Sequence, residues 1–420
     1  MTRHTVMSSM LDGRAAVAPL RSTAFRRYLA GQLPSVTCSW AQVVALACVV
    51  VQIDPRALGW VVVAQFLPSL LLGPWFGALA DRHDRRRLLI LAEAGLGLIA
   101  LAYTAAAAAG VLALPLIYTL ASAWGVINAL DTPARRALVP ILVPNESAAS
   151  ASALTGTALV LGMALGTALG GTVVTVAGAA AAFAVNAASF LLDVVVLTTI
   201  RVGASPRVRR APRQIREGIG YVWQGPPLRA AMLTLAIIAT FAFTVQVSVP
   251  VLAQEGFNGN PATISAFFTA VTGGSLAGTL VFAARGASKR WPLAGTSLAM
   301  AAALLVTALS PYAPVAILGL VGVGFSWAYL IGTVLAILQT SDPMLMGRVM
   351  SLFGVVLLGG TTIGGPLAAA MTAVGGCRAP FIVGAGSAVI AASWRHDGSG
   401  RQGRYLRLNS PGSPAVSDGV

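Results

Sequence analysis

Apolar runs of about 20 residues follow one another along almost the whole chain, and this repetition limits the fold more than any motif does. About 20 apolar residues are what a helix needs to cross the hydrocarbon of a bilayer. In lipid the backbone must satisfy its own hydrogen bonds, so long continuous runs specify helices. A membrane barrel would instead alternate polar and apolar residues over short strands. We read twelve spans, at about 25–52, 59–80, 87–109, 113–132, 149–176, 179–200, 228–252, 262–284, 292–310, 313–337, 349–374 and 377–395. Composition agrees: 10% of residues are charged, 56% are hydrophobic, and the mean hydropathy is +0.80. Water-soluble domains carry about 25% charged residues. The expected fold is an all-α polytopic membrane protein.

The chain carries 28 basic against 13 acidic residues, a formal charge of +15. Position explains the excess. With both termini inside, 26 of the 28 basic residues fall on the inner side of the twelve spans, and Arg56 and Arg378 alone fall outside. Such a bias orients a membrane protein, so the charge is a topology signal and not a nucleic-acid footprint. The expected location is the cell membrane, multi-pass, with cytoplasmic termini. Cys38, Cys48 and Cys377 are an odd set, and Cys38 and Cys48 sit ten residues apart on one span. That is about 15 Å along a helix, too far for a disulfide. No metal or cofactor is expected.

The longest polar segment, 201–227, divides the spans six and six. The expected organisation is a cytoplasmic segment 1–24, a six-helix bundle 25–200, a cytoplasmic loop 201–227, a second bundle 228–395, and a polar tail 396–420 expected to be disordered. The halves echo one another. Gly73-x3-Gly77 on span 2 matches Gly274-x3-Gly278 on span 8, and "GMALGTALGG" on span 5 matches "GGTTIGGP" on span 11. Pro144 precedes Gly166 by 22 residues, as Pro343 precedes Gly365. Glycines at four-residue spacing let helix backbones approach closely. At repeat-equivalent positions they suggest helices that move against each other. Two halves with internal inverted repeats are the plan of rocking transporters.

"GALADRHDRRR" resembles the signature between spans 2 and 3 of the major facilitator superfamily, and "GMALGTALGG" is similar to the span-5 glycine motif of its proton-driven exporters. "FRRYLAGQLPSV", "DTPARRALVPILVP" and "GRVMSLF" look like the branch containing the enterobactin exporter and macrolide efflux proteins. The resemblance implies a secondary active transporter working by alternating access, most simply a proton-coupled antiporter exporting bulky amphiphilic, antibiotic- or siderophore-like molecules. Its partners would be the bilayer, a small organic substrate and protons, with no nucleic acid and a monomeric state. Uptake of a nutrient by the same fold is the alternative. An intramembrane enzyme lacks support, since His4, His83 and His396 all fall outside the spans. The sequence also departs from the pattern. Asp84 replaces a glycine of the first signature, Thr167 a proline of the second, Phe282 stands where the second half would repeat Asp81, and span 4 as read lacks an embedded arginine.

Three sets of candidate residues follow. The resemblance implies a gate at Asp81, facing the start of span 11 at Arg348, with Arg85, Arg86 and Arg135 as ion partners and Gly77, Gly166 and Gly170 as close-approach positions. Carboxylates are costly within spans and are functional candidates by default, which singles out Glu93, Asp131 and Asp193 for proton coupling. Of these, Asp131 reads more as a partner of Arg135, and Asp193 more as a static pair. The first span of each three-helix repeat lines the cavity in this architecture. Its candidates near mid-depth are Trp40, Gln42, Trp124, Asn128, Phe241, Gln246, Trp327 and Tyr329.

Overall fold

The computed structural model describes residues 17–200, 214–285, 292–342 and 344–393, without the side chains of residues 74, 78, 80–82 and 214–218. The tail 396–420, part 201–213 of the central loop, and the gate side chain of Asp81 therefore lie outside the described residues.

The chain is helical throughout the described residues: α1 Thr23–Ile53, α2 Ala57–Arg82, α3 Arg85–Ala108, α4 Leu114–Leu138, α5 Ala148–Thr199, α6 Gln214–Gln224, α7 Pro226–Ile237, α8 Val245–Val251, α9 Pro261–Ala284, α10 Leu293–Leu309, α11 Ala313–Leu338, α12 Met346–Gly375 and α13 Ala379–Ser393. Seven helical stretches are long and apolar enough to cross a membrane, and shorter apolar ones lie at Ala57–Gly73, Leu293–Leu309 and Ala379–Ser393. Side-chain caps set several starts. Ser22 Oγ accepts from the Phe25 amide at 3.3 Å, and Asn260 Oδ1 from the Thr263 amide at 3.1 Å. These bonds satisfy amides that a helix N-terminus leaves without a partner.

Three elements differ from the sequence reading. Helix α4 continues to Leu138, past the expected end at 132, because Arg135 finds buried partners that stabilise the extra turns. The spans read as 149–176 and 179–200 are one element, α5, broken only at Gly178 (φ +80°, ψ 170°). Glycine alone adopts that conformation without a Cβ penalty. The chain doubles back there. The first arm runs alongside α1 in the same direction, with Gly162 against Val36, Gly166 against Thr37 and Trp40, and Gly170 against Val44. The second arm returns antiparallel, with Asn186 at Gln42 and Asp193 at Gly31. The span read as 228–252 is interrupted: π-helical turns at Ile238–Ala242 and Leu252–Gly256 flank α8, with Phe243 and Thr244 non-helical between α7 and α8. Such turns relocate side chains without ending a helix.

Helices α1–α5 pack mainly on one another, as do α7–α13, and two seams join these groups. At the first, α2 meets α12. A methyl group at Gly59 would collide with the Gly365 carbonyl and with Ala369, and Leu70 comes within 4.0 Å of a methyl at Gly359. Farther along, a methyl at Gly73, Gly77, Gly347 or Gly354 would meet no other described residue. The two helices thus touch at one end and part toward the other, the end where α2 stops and α12 begins. That second end also holds Arg85, Arg86, Arg135, Arg136 and Arg348, and we call it the basic face. At the other seam, α5 meets α9 nearer the far face. Thr167 and Thr272 hydroxyls bond at 2.9 Å, the Gly171 amide donates to Ser265 Oγ at 3.1 Å, and Ser265 Oγ also donates to the Thr167 carbonyl. Among the described residues, the two groups of helices meet nearer the far face and part toward the basic face.

This geometry corrects the reading of the glycines as one set of sliding contacts. Gly166 and Gly170 hold α5 against α1 within one group of helices, and Gly77 faces open space. Gly171 and Gly59 instead sit on the seams.

Candidate functional site

Four ionisable side chains from three helices converge just inside the basic face. Arg135 of α4 hydrogen-bonds Glu93 of α3 through Nη2. The same guanidinium grips Asp131 one turn earlier, Nη2 to Oδ1 at 3.0 Å and Nε to Oδ2 at 3.2 Å. Asp193, on the second arm of α5, places Oδ2 3.6 Å from Arg135 Nη1. The side chains of Glu93 and Asp193 are 1% and 0% exposed, whereas Arg135 keeps 14% and Asp131 12%. The i, i+4 spacing of Asp131 and Arg135 makes their fork-to-fork contact local to α4. The other two carboxylates arrive through tertiary packing.

Helix α1 closes the cluster. Tyr28 and Gln32, one turn apart, are 0% and 2% exposed, and neither the Tyr28 hydroxyl nor either Gln32 amide atom has a hydrogen-bond partner. Glu93 Oε2 and both Asp193 carboxylate oxygens are in the same condition. A methyl at Gly31 would run into Asp193 Oδ1 and Val196, so α1 approaches Asp193 as closely as a backbone can. Gly31→Ala is accordingly expected to cost about 1–3 kcal/mol through overpacking. Thermal unfolding of the purified protein measures it, and an unchanged midpoint would refute the close approach.

The arginines of the α2–α3 turn act on helix ends. Arg86 Nε donates to the Leu197 carbonyl at 2.7 Å and its Nη2 to Thr198, while Arg27 Nη1 donates to Thr199 at 3.2 Å. Arg85 Nη1 donates to the Ala137 carbonyl at 3.3 Å. Cations at helix C-termini satisfy terminal carbonyls and meet the negative end of the helix dipole. Asp84 is the N-cap of α3, accepting from the Arg86 and Arg87 amides at 2.9 and 3.2 Å, work that a glycine could not do. Arg135 was expected in a loop beside Asp81, but it is a buried helical residue among three other carboxylates. Arg348 lies half-buried in the first turn of α12.

The cavity candidates divide. Tyr329 is fully buried, edge-on to Phe282 at 5.3 Å and stacked with Phe325, so it belongs to the packing of α9 on α11 and not to a cavity wall. Phe282, at the position equivalent to Asp81, thus supplies an aromatic contact where a charge was absent. Gln42 is buried, and its oxygen accepts from Asn186 Nδ2 at 2.8 Å, which commits it to α5. Trp40, Trp124, Asn128, Phe241, Gln246 and Trp327 are half-buried. Trp327 stacks on Phe243 with ring centres 4.0 Å apart, and Trp124 sits edge-on to Phe66 at 6.3 Å. Sequence reasoning missed Tyr28, Gln32, Ser265 and Thr272. Polar residues in apolar spans were the available signal for all four.

A protein-family model described as "Transmembrane secretion effector" matches residues 14–395. The chain belongs to that family of the major facilitator superfamily. Its relatives are transporters and not enzymes. Macrolide efflux protein A of Enterococcus faecalis is 26% identical over 311 residues, 70% of this chain and 94% of that protein. The enterobactin exporter EntS of Escherichia coli O1:K1 / APEC is 28% identical over 318 residues, 72% of this chain and 74% of that one. The uncharacterized MFS-type transporter YfiS of Bacillus subtilis is 27% identical over 61% of this chain, and the match spans 62% of YfiS. Among solved structures, the nucleoside transporter NupG superposes with a TM-score of 0.69 at 9% identity, covering 88% of this chain and 97% of NupG. That likeness establishes the fold.

Proposed function

We propose that this member of the transmembrane secretion effector family is a secondary active exporter of bulky amphiphilic molecules, driven by proton exchange and built of twelve spans in two rocking halves. The observation that carries alternating access is the asymmetry of the α2–α12 seam, tight at Gly59–Gly365 and apart at Gly73, Gly77, Gly347 and Gly354. A pair that touches at one end and carries unused close-approach glycines at the other is suited to rock shut there. The positive-inside rule makes the basic face cytoplasmic, so this is the state that loads cargo from the cell. Half-buried Trp40, Trp124 and Trp327, with amides at Asn128 and Gln246, suit a large amphiphile better than a small ion. The efflux relatives support the direction. Proton coupling is supported by ionisable groups buried at Glu93, Asp131, Arg135 and Asp193.

Transport of a labelled macrolide and of labelled enterobactin into inside-out vesicles tests the direction. Accumulation that requires an acid interior, with none in right-side-out vesicles, is the expected result; the reverse pattern would establish uptake. In the same assay Asp81→Asn is expected to abolish transport while leaving the protein in the membrane. Wild-type rates from that variant would remove Asp81 from the gate.

A further inference from the structure

We infer that Glu93 and Asp193 form a carboxyl–carboxylate pair that shares a single proton, with Asp131 as the permanent counter-ion of Arg135. This rests on the proton-exchange reading above and assigns its chemistry to particular atoms.

Three ionised carboxylates around one guanidinium would leave an excess of two negative charges in a cluster whose side chains are 14% exposed at most. Like charges held together under low solvation cannot all ionise. The hydrogen bonds show which carboxylate is settled. Asp131 takes both Nη2 and Nε of Arg135, the fork geometry of an ionised pair. It also retains some exposure, so its charge is the least costly of the three.

Glu93 and Asp193 differ. Glu93 meets Arg135 through Oε1 alone, and its Oε2 has no donor. Asp193 stands off at 3.6 Å with both oxygens unsatisfied. Both carboxyls reach the same guanidinium, Glu93 through Oε1 at Nη2 and Asp193 with Oδ2 3.6 Å from Nη1, which sets them side by side at its head. Two buried carboxylates facing one another lack a donor by construction, and one proton supplies it. That proton leaves the cluster with two negative charges against the one positive charge of Arg135. The groups facing the pair are Arg135 and Asp131 from α4 and the Tyr28 hydroxyl from α1. Packing also argues for a proton in place of a metal ion, because α1 reaches Asp193 at Gly31 with no room for even a methyl group. Loss of the proton strengthens the pull of Asp193 on Arg135. Asp193 lies one turn before the basic-face end of α5, where Arg86 and Arg27 hold the Leu197–Thr199 carbonyls.

Difference infrared spectroscopy of the full chain in liposomes, titrated with pH, tests the pair directly, since a buried protonated carboxyl has its own carbonyl stretch. Wild type is expected to show one such band titrating as a single proton. Glu93→Gln and Asp193→Asn should each remove or shift it, Asp131→Asn should leave it, and Asp193→Glu should restore a displaced band. A band unaffected by both Glu93→Gln and Asp193→Asn, or lost only in Asp131→Asn, overturns the assignment. Two independently titrating bands also overturn it. The readout needs no cargo: a band that behaves as described, in a protein without pH-driven transport, would refute the export reading and leave the shared proton standing.

Discussion

Arg135→Ala is expected to be the most damaging single substitution in the chain. Removing the guanidinium leaves Glu93, Asp131 and Asp193 facing one another without a counter-ion. Breaking a buried ion pair from one side costs about 3–5 kcal/mol. That is comparable with much of the stability of an ordinary domain, so little folded protein should accumulate. Size-exclusion chromatography of the detergent-extracted variant measures it. Restoring the charge balance in the same chain, with Glu93→Gln and Asp131→Asn added, should recover folded protein without recovering transport. Arg135→Lys should fold but lose the fork contact with Asp131, because an ammonium is a point donor. A monodisperse, stable Arg135→Ala protein would mean that the carboxyls are all neutral or are solvated by water.

Tryptophan at Gly77 and Gly354 together should have the opposite profile. Both positions face open space in this state, so stability should change by no more than about 0.5 kcal/mol, as for surface positions. Closure of the α2–α12 seam at the basic face would then have to accommodate two indoles between backbones. Transport should fall by at least about tenfold while the thermal midpoint holds. The contrasting substitution is Gly59→Leu, which collides with Gly365 in the present state and should lower stability. Undiminished transport by the double tryptophan variant would show that these helices never approach at that end.

The helical membrane architecture was legible because long apolar runs have few other solutions, and the arginines marked one face. The boundaries that failed did so for tertiary reasons. Nothing local says that α4 should continue past 132; the turn from Asp131 to Leu138 is held by carboxylates from α3 and α5, both distant in sequence. Glycine spacing was visible, but spacing cannot say which helix each glycine faces. The pattern at Gly162, Gly166 and Gly170 belongs to packing on α1, while the seam contact fell to the next residue, Gly171. Glu93, Asp131 and Asp193 stood out because charge within a span is rare. Their convergence on one arginine is a three-dimensional fact. Thr167 and Asp84, which looked like defects in familiar motifs, turn out to have work of their own, a hydroxyl bond across the α5–α9 seam and a helix cap.

The reversal at Gly178 has a mechanical side. One residue connects the arm of α5 that seals against Ser265 and Thr272 to the arm that carries Asp193. A loop of ordinary length would absorb rotation between its ends, whereas a one-residue elbow has little slack to give. Tilt imposed at the α5–α9 seam would therefore pass to the arm that carries Asp193. Lengthening the elbow by a few glycines would cut that transmission without touching either end.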